Sequence, residues 1–373
     1  MVHNRSPSDI VTDYDIMIVG GGPAGTSTWL HLHKYAPDLV ERTILIDKET
    51  FPRDKICGGG LGGWSEYILS DLEIDIDIPS LLVSDLEIRY MEKSKILHEK
   101  NCFRMIRRKE FDNLLVKNAL KRGLHLHQNE EFIDIQYKDK SVIVETNKNK
   151  YLVKSLIGAD GSLSAVRRKM NLSNKPHLAP TLEIFAPVNC KYDLEYEQKK
   201  ITLDFTPIDQ GIQGYIWHLP HIINDHPYMS HGIADLQFQK VKKQTSMKEL
   251  FAKELKKRNL KIEQKKWLSH PIRCFSEINE ISKPNILLVG DAAGIEPVTG
   301  GGIHFALSYG KVAAKTLNFA FDTNNFTFKD YRHNFQSTLA GKYMKKCIYL
   351  AKKMYIENES PITIAKKVFS KNS

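Results

Sequence analysis

The strongest constraint on the fold lies near the amino terminus, in the stretch DYDIMIVGGGPAG. Its apolar residues predict a buried strand over residues 14–19, followed by a glycine turn and a helix over about 23–35. Gly20, Gly22 and Gly25 form G-x-G-x-x-G between the two. The motif is weak evidence when it stands alone. Between a strand and a helix, however, it favours binding of a dinucleotide pyrophosphate over a purely structural glycine turn.

A second apolar strand, residues 43–46, follows the helix and ends at Asp47. Glycines in the turn let backbone N–H groups approach a pyrophosphate at the helix N-terminus, while an acidic residue after the next strand accepts hydrogen bonds from the adenosine ribose. Asp47 and its neighbour Lys48 are therefore candidate cofactor-binding residues. These residues alone leave open whether the dinucleotide is NAD or FAD.

Two later segments, LIGADGSLSAVRR (156–168) and NILLVGDAAGIEPVTGGGIHFAL (285–307), each contain an apolar strand that ends at an aspartate. A domain that binds only NAD does not require them. Asp160 ends the first strand, and Asp291 ends the second just before a helix-forming stretch. A carboxylate there can bind ribityl hydroxyls, and the helix N-terminus can stabilise negative charge on a reduced flavin. The two segments therefore favour FAD.

Together these motifs resemble the FAD-dependent oxidoreductases of the aromatic-hydroxylase fold. Within that superfamily, FPRDKICGGGL (51–61) and GYIWHLP (214–220) resemble the geranylgeranyl reductases, which saturate isoprenoid chains. The resemblance covers most of residues 13–325 and rests on several motifs in compatible order and spacing. It implies an α/β fold: a Rossmann-like FAD-binding domain interrupted by an antiparallel-sheet substrate domain, with a helical C-terminal tail.

The resemblance also implies roles for individual residues. Arg108 contacts FAD near its phosphates, Asp291 binds the ribityl or pyrophosphate region, and Cys57 lies near the reacting edge of the flavin. Tyr215 and Trp217 form a substrate wall suited to an apolar chain. The implied neighbours of the isoalloxazine are Gly300, Gly301 and Gly302. No His or Cys in these motifs has a recognisable covalent-attachment context, so FAD is expected to bind noncovalently.

The run GGGLGG directly after Cys57 contains five glycines. Glycine at this density is costly in conformational entropy, which argues against filler. We interpret it as bare backbone that lets a planar flavin and an apolar substrate approach closely.

The resemblance predicts that one domain interrupts another. The FAD-binding domain comprises residues 13–75, 101–170 and 283–325, the substrate domain residues 76–100 and 171–282, and the C-terminal helical region residues 326–373. Within the substrate domain, KKITLDF and YMSHGIADLQF are typical of strands and suit an antiparallel sheet above the flavin.

The segment GYIWHLP also resembles the W-x-W-x-I-P motif of flavin-dependent halogenases, with Tyr215 in place of the first tryptophan. Those enzymes need a lysine facing the flavin chamber. Lys55 is the candidate catalytic lysine in the Cys57 loop, and the other interpretation is a solvated side chain. Leu219 stands where the reductase pattern often has Phe.

Three functions are therefore considered: a reductase, an oxygen-using halogenase or aromatic monooxygenase, and a flavoprotein that only binds FAD or carries electrons. The reductase is preferred. It would add hydride from reduced flavin to a double bond of a geranylgeranyl-type chain, and a residue or water would supply the proton. The electron donor stays open between NAD(P)H, a ferredoxin-like protein and free reduced flavin, because no second G-x-G-x-x-G marks a nicotinamide site.

Charge and composition add expectations about location and partners. The formal net charge of +10 is concentrated in residues 241–266 and 341–373. Residues 342–355 alternate apolar positions with lysine pairs, which fits either a basic amphipathic helix on an anionic membrane surface or a solvated helix face. The expected substrate is apolar or a lipid, and nucleic acid is not an expected partner. Scattered cysteines and the lack of a long apolar run indicate a cytoplasmic protein, peripheral on a membrane at most.

The histidines give weaker signals. Four of them lie close together in sequence, without the carboxylate spacing or paired i, i+4 geometry of a metal site, so no metal is expected: His218, His221, His226 and His231. His304, in GGGIHFAL, either orients or shuttles protons at the flavin or packs within a helix.

Overall fold

Two large sheets, one mostly parallel and one mostly antiparallel, organise the chain. The computed structural model describes residues 10–173, 178–276 and 280–369. Its strands, in chain order, are β1 (Ile10–Val11), β2 (Ile16–Val19), β3 (Thr43–Asp47), β4 (Gly60–Gly62), β5 (Ser80–Tyr90), β6 (Lys93–Ile106), β7 (His125–Gln128), β8 (Phe132–Lys138), β9 (Ser141–Thr146), β10 (Lys150–Val153), β11 (Ser155–Gly158), β12 (Leu178–Ala179), β13 (Thr181–Pro187), β14 (Lys200–Asp204), β15 (Gly214–Ile223), β16 (His226–Asp235), β17 (Ile272–Arg273), β18 (Ser282–Lys283) and β19 (Ile286–Leu288). Its α-helices are α1 (Pro23–Tyr35), α2 (Ser65–Asp71), α3 (Arg108–Lys121), α4 (Ala165–Lys169), α5 (Leu194–Glu197), α6 (Met247–Lys257), α7 (Ile303–Thr323), α8 (Tyr331–Ser337), α9 (Leu339–Tyr355) and α10 (Pro361–Phe369).

The parallel sheet has six strands in the order β18-β19-β11-β2-β3-β7, and only β18 runs antiparallel to its neighbour. Its central strand β2 reads IMIV and is buried along its whole length, as expected for a parallel strand covered on both faces. Helix α1 has the predicted bounds and packs against α7. The two predicted strands beside it are observed as β2 and β3. The glycine turn and Asp47 therefore lie at the carboxyl ends of adjacent parallel strands.

The second sheet has seven strands in the order β13-β16-β15-β14-β5-β6-β4. The stretches KKITLDF and YMSHGIADLQF, predicted as strands, supply β14 and β16. The neighbouring pairs are antiparallel except for β14 with β5, which is parallel. A parallel pair needs a long crossover connection, and the chain from β6 to β13 provides it here. The α/β fold and the mainly antiparallel second sheet confirm the predicted fold class.

Alternation along β15 separates two surfaces of this sheet. Tyr215, Trp217 and Leu219 belong to an apolar cluster shared with β5, β14 and the last two helices. Ile216 points the other way, into a cluster covered by α6. The face that carries Tyr215, Trp217 and Leu219 contributes to the cavity of the candidate site. The described residues also form a four-stranded sheet in the order β1-β10-β9-β8 and a two-stranded sheet of β12 and β17.

The predicted helical C-terminal region is observed as α8, α9 and α10. Helix α9 is amphipathic, but its apolar residues are buried in the protein: Met344, Ile348, Ala351 and Tyr355. The apolar face of this helix is therefore used for internal packing, and only its lysine-rich face is left to meet a membrane surface. Among the helices in the described ranges, none is both long enough and apolar enough to cross a bilayer.

Candidate functional site

A cavity of ≈ 1030 Å³ is lined by residues of both large sheets. It brings together every predicted site residue except Gly25: Gly20, Gly22, Asp47, Lys48, Lys55, Cys57, Arg108, Asp160, Tyr215, Trp217, Asp291, Gly300, Gly301 and Gly302. One end of the cavity begins at the glycine turn before α1, and we call it the polar end. The other is lined by apolar side chains of the second sheet and the C-terminal helices, and we call it the apolar arm.

The three glycines of the turn have different physical reasons to be glycine. Gly20 has φ +104°, and a Cβ there would lie 2.6 Å from the Ala159 carbonyl oxygen. A Cβ on Gly25 would lie 1.9 Å from the Gly20 carbonyl oxygen, so this residue lets α1 pack closely against β2. Gly22 is open, because its nearest groups are the Nη2 atoms of Arg108 and Arg53, each 3.6 Å from a Cβ built on it. Gly25 is thus a packing residue, whereas Gly20 and Gly22 line the cavity and Gly22 has open space beside it.

Two arginines and two carboxylates form a charged group beside Gly22. Arg108 donates to both oxygens of the fully buried Asp112, at 2.7 and 2.9 Å. Arg53 spans the gap between Asp112, at 3.4 Å, and Asp47, at 3.6 Å. Burial opposes the charge on Arg108, but the Asp112 carboxylate outweighs it and raises the pKa of this guanidinium above its ordinary value. Two guanidinium groups held at a helix N-terminus suit a pyrophosphate.

Arg53 and Asp112 were not predicted as site residues. The i, i+4 spacing of Arg108 and Asp112 in RKEFD is a sequence signal for the second of them. Arg53 has no such local signal, because its partners come from β3 and α3.

The Asp47 carboxylate is oriented by backbone donors. It accepts from the Gly21 N–H at 2.7 Å and from the Glu49 N–H at 2.9 Å. It therefore lies directly beside the glycine turn, where a ribose next to a pyrophosphate would meet it. Lys48 follows it with an exposed side chain at the rim.

The two later aspartates differ in how they are engaged. Asp160 accepts from the Ser164 hydroxyl at 2.5 Å and from the Ala165 and Val166 N–H groups at 2.6 and 3.0 Å, so its carboxylate caps α4 while also lining the cavity. Asp291 lies on the short helix after β19, with Oδ1 3.5 Å from a Cβ built on Gly302. Burial raises the pKa of Asp291, although nearby cationic side chains oppose the shift.

Three glycines of the Cys57 loop approach neighbouring protein closely. A Cβ on Gly58 would lie 2.8 Å from Leu219, and one on Gly59 would lie 2.0 Å from the Ile106 carbonyl oxygen. Gly62 is similarly close to a phenylalanine ring, at 2.7 Å. These three tight contacts are with β6 and β15, whereas Gly60 and Gly63 have no contact closer than 3.9 Å. All five glycines line the cavity, and that the run makes room for flavin and substrate stays a prediction. Cys57 itself is half-buried, and burial raises the pKa of its thiol.

Lys55 is half-buried in the cavity wall rather than fully solvated. Its ammonium donates to a ring nitrogen of His270, which also lies 3.1 Å from the Ser162 hydroxyl. Burial, reinforced by Arg108, lowers the pKa of Lys55 to about 8. Burial also lowers the pKa of His270 to about 4. The lysine thus belongs to the polar end of the cavity, and His270 is a further residue that sequence reasoning missed.

The loop with the three consecutive glycines is fixed by Glu296, another residue that was not predicted. Its carboxylate accepts from backbone N–H groups of the loop, including those of Thr299 at 3.0 Å and Gly301 at 2.8 Å. Tyr215 donates its hydroxyl to the Thr299 carbonyl oxygen, which ties the second sheet to this loop. His304 packs edge-on against Trp64 at 4.7 Å, and its Nε2 has no hydrogen-bond partner among the described residues.

The clustered histidines separate in space. His221 contacts the Gly58 carbonyl oxygen at 3.0 Å, close to the Cys57 loop. His218 and His231 contact each other and lie near Glu254 of α6, on the opposite face of the sheet, while His226 is exposed. Within the described ranges no group of His, Cys, Asp and Glu is arranged to hold a metal ion.

The apolar arm is formed by residues that no motif marked. From the second sheet it takes Leu86, Ile88, Ile201, Leu203 and Phe205. From α9 and α10 it takes Leu350, Met354, Ile364 and Ala365. These side chains belong to one buried cluster with Tyr215 and Trp217. The arm therefore continues the aromatic wall away from the polar end.

The FAD binding domain family matches residues 85–308, more than half of the chain, and the chain belongs to this family. The match includes Arg108, Asp160 and Asp291 and begins after the glycine turn. A curated relative, the digeranylgeranylglycerophospholipid reductase of Methanococcus aeolicus, is 24% identical over 351 residues, covering 90% of this chain and 84% of the relative.

Two solved structures share the fold over nearly the whole chain. A geranylgeranyl bacteriochlorophyll reductase-like protein of Thermoplasma acidophilum has a TM-score of 0.74 at 21% identity and covers 98% of this chain and 97% of its own. A triple mutant of the flavin-dependent brominase Bmp2 has a TM-score of 0.73 at 18% identity, covering 95% and 91%. The predicted cofactor is confirmed by the family: the chain is an FAD-dependent oxidoreductase. The paired guanidinium groups at Gly22 fit the pyrophosphate of that cofactor.

Proposed function

We propose that this enzyme saturates carbon–carbon double bonds of an isoprenoid chain of the geranylgeranyl type. The apolar arm is the observation that carries the proposal, because it extends the Trp217 wall into a buried apolar cluster beside the Cys57 loop. Burying an apolar chain there would contribute roughly 25 cal/mol per Å² removed from water. The relatives named as reductases of geranylgeranyl compounds support the same substrate class.

The polar end would hold FAD. We assign its pyrophosphate to the α1 N-terminus at Gly20 and Gly22, with Arg108 and Arg53, and its ribose to Asp47 and Lys48. When bound and reduced, FAD supplies the two electrons and the hydride of the reduction. The proposed neighbours of the flavin are Asp291, Gly300, Gly301 and Gly302, with Asp160 holding α4 behind them.

The chain's own residues would orient the substrate. Trp217 and Tyr215 would form the wall that holds a double bond against the flavin, with Tyr215 fixed by its bond to the Thr299 carbonyl oxygen. Cys57 would lie at the reacting edge. Enclosure matters because an isolated alkene is a poor hydride acceptor, and an oriented, water-poor site lowers that barrier.

Oxygen dependence tests the proposal. Enzyme reduced with dithionite under nitrogen should reoxidise when a geranylgeranyl compound is added, with a product mass gain of two hydrogens per saturated bond. The substitution Cys57→Ala should slow this reaction without removing FAD. An enzyme that stays reduced under nitrogen with every prenyl compound, yet turns over in air, would contradict the reductase function.

Lys55 favours a second candidate function, an oxygen-using halogenase or aromatic monooxygenase. It lines the cavity and carries a pKa lowered to about 8, so part of the population has a free amine near neutral pH. Reduced enzyme exposed to air with bromide and an electron-rich phenol should then give a brominated product that Lys55→Ala abolishes. The Lys55 ammonium already donates to a ring nitrogen of His270, which is the argument for ranking this function second.

The partners beyond the substrate are also proposals. The electron donor could be NAD(P)H, a ferredoxin-like protein or free reduced flavin. An isoprenoid substrate is itself membrane-bound or carried, so the lysine-rich face of α9 is proposed to meet an anionic membrane surface.

A further inference from the structure

We propose that Glu183 is the acid that supplies the proton to the substrate double bond, a role that rests on the proposed reductase function. Glu183 lies on β13, lines the cavity and is 1% exposed. No sequence motif marks it, and a fully buried carboxyl on this edge strand of the second sheet needs a reason to be there. Its surroundings provide one.

Glu183 is joined to the substrate wall by a short chain of contacts. The Trp217 indole N–H donates to the Ser230 hydroxyl at 2.9 Å, and that hydroxyl donates to Glu183 Oε1 at 2.6 Å. Trp217 and Glu183 are both paired with Gly232 across the sheet, so all three lie in one row. A Cβ on Gly232 would lie 2.1 Å from the indole, so glycine there lets the ring lie across the row toward β13.

The same row reaches the Cys57 loop. The Trp217 Nε1 atom is 3.9 Å from a Cβ built on Gly58, the residue after Cys57. When ionised, the Glu183 carboxylate adds to the effect of burial in raising the pKa of the Cys57 thiol. Glu183 therefore lies where the aromatic wall, the Cys57 loop and the cavity meet.

Its environment keeps part of the Glu183 population protonated near neutral pH. Burial raises the pKa of Glu183 to about 7, while the Ser230 hydrogen bond and the charge of Arg107 act in the opposite direction. The titratable groups that face it are Arg107, at the start of α3, and the Cys57 thiol. An acid whose pKa lies near the working pH transfers protons most efficiently.

The phenol, thiol and imidazole groups around this part of the cavity are less suited to this role. The Tyr215 hydroxyl already donates to the Thr299 carbonyl oxygen, and burial raises its pKa far above neutrality. Burial raises the pKa of the Cys57 thiol as well. His221 and His304 have pKa values lowered by burial to about 4, so both are neutral at pH 7.

The step balances without a further reactant. The carbon–carbon π bond breaks, one carbon gains a hydride from two-electron-reduced FAD, and its neighbour gains a proton from the Glu183 carboxyl. Glu183 is left as a carboxylate and regains its proton from solvent, and FAD is left oxidised, so the external electron donor must reduce it again before the next bond is saturated.

A single-turnover experiment tests the assignment. Dithionite-reduced holoenzyme is mixed with a geranylgeranyl compound under nitrogen, and flavin reoxidation is followed between about pH 5 and pH 9. In the wild type the rate should fall as the pH rises past about 7, since the acid form is lost. Glu183→Gln, which keeps an acceptor for Ser230, should slow reoxidation by about 10²–10⁴-fold and flatten the profile. Glu145→Gln, on the small sheet, is the matched control and should behave as wild type.

Two measurements separate this role from a structural one. The FAD content and visible spectrum of Glu183→Gln should equal those of the wild type, and infrared titration of the oxidised holoenzyme should show a carboxylic-acid band with a midpoint near pH 7 that the variant lacks. Ser230→Ala should move both that midpoint and the kinetic limb to higher pH, because the hydroxyl stabilises the carboxylate.

The outcomes are distinguishable. If the wild type reduces the substrate but Glu183→Gln does so within about threefold and with the same pH limb, the acid is another group and the proposal is overturned, while the reductase function stands. If the wild type reduces no prenyl compound, the proposed function fails and the role of Glu183 fails with it. If Glu183→Gln loses FAD, the Ser230→Ala variant is used instead. The proposal is then overturned if the pH dependence of flavin reoxidation in Ser230→Ala equals that of the wild type.

Discussion

The two ends of the cavity are built on different principles. The polar end is formed by backbone at the ends of strands. Its glycines and its buried charged residues follow those strands within a few residues in sequence. The apolar arm is assembled from β5, β14, α9 and α10, which are distant in sequence and contribute ordinary core side chains. The difference predicts that single changes at the polar end act on FAD binding, whereas changes in the arm act on the substrate alone.

Gly22→Val gives the largest expected effect. The residue is open toward the cavity and has ordinary backbone angles, so the chain can still fold, but the added methyl groups would occupy the space between Arg53 and Arg108 that we assign to the pyrophosphate. The purified variant should be colourless, whereas acid precipitation of the wild type should release yellow FAD into the supernatant. Gly22→Ala is the graded control, since its Cβ makes only ordinary contacts at 3.6 Å. A Gly22→Val variant that is still yellow would contradict the assignment of the FAD pyrophosphate to the polar end.

Asp112→Asn should have the next largest effect. The substitution removes a fully buried charge that accepts two hydrogen bonds from Arg108 and lies 3.4 Å from Arg53. Breaking a buried pair in this way costs about 3–5 kcal/mol, so the free energy of unfolding should fall by that order and FAD affinity should fall with it. Chemical denaturation and flavin fluorescence measure the two. Lys117→Gln, an exposed charge change on the same helix, should alter neither; equal stability of the two variants would contradict the pairing.

The comparison also explains what could be predicted from the sequence. The strand–turn–helix around Gly20, Gly22 and Gly25 was predictable because strand ends and tight turns leave local signals. Arg53 and Glu183 were not, since each acquires its role from partners on other elements. The residues of the arm look like any core residues in sequence, and only tertiary packing turns them into a cavity wall.

The amphipathic pattern of α9 also shows how far prediction from the sequence reaches. The spacing correctly predicted a helix, but a periodic pattern does not say whether the protein or a membrane covers the apolar face. Met354, which lines the arm, belongs to the buried face. The tail is therefore part of the candidate site rather than an appendage.

Ala365→Phe sharpens the comparison at the apolar arm. Ala365 is 5% exposed and lines the arm from α10, so a ring there would shorten the space for a long chain. We expect kcat/KM for a geranylgeranyl substrate to fall about tenfold, or about 1.4 kcal/mol, with a smaller loss for a geranyl substrate and unchanged FAD content. Thr363→Phe, exposed on the same helix, is the control. An equal loss for both chain lengths would mean that the arm does not hold the distal part of the chain.

The smallest expected effect on folding, FAD binding and catalysis comes from changing the exposed lysines of α9, at positions 342, 345, 346 and 352. Truncation before this helix would remove part of the cavity wall, so substitution of all four by glutamine is the cleaner test, because it leaves the buried face intact. Each lysine near an anionic surface contributes about 1 kcal/mol at low salt, so flotation with anionic liposomes should weaken strongly and should already be absent with neutral ones. Replacing Lys256 and Lys257 of α6 should leave flotation nearly unchanged. Equal flotation of the α9 variant and the wild type would mean that the basic face is only solvated, and that an isoprenoid chain enters the arm from a carrier rather than from a membrane docked at this helix.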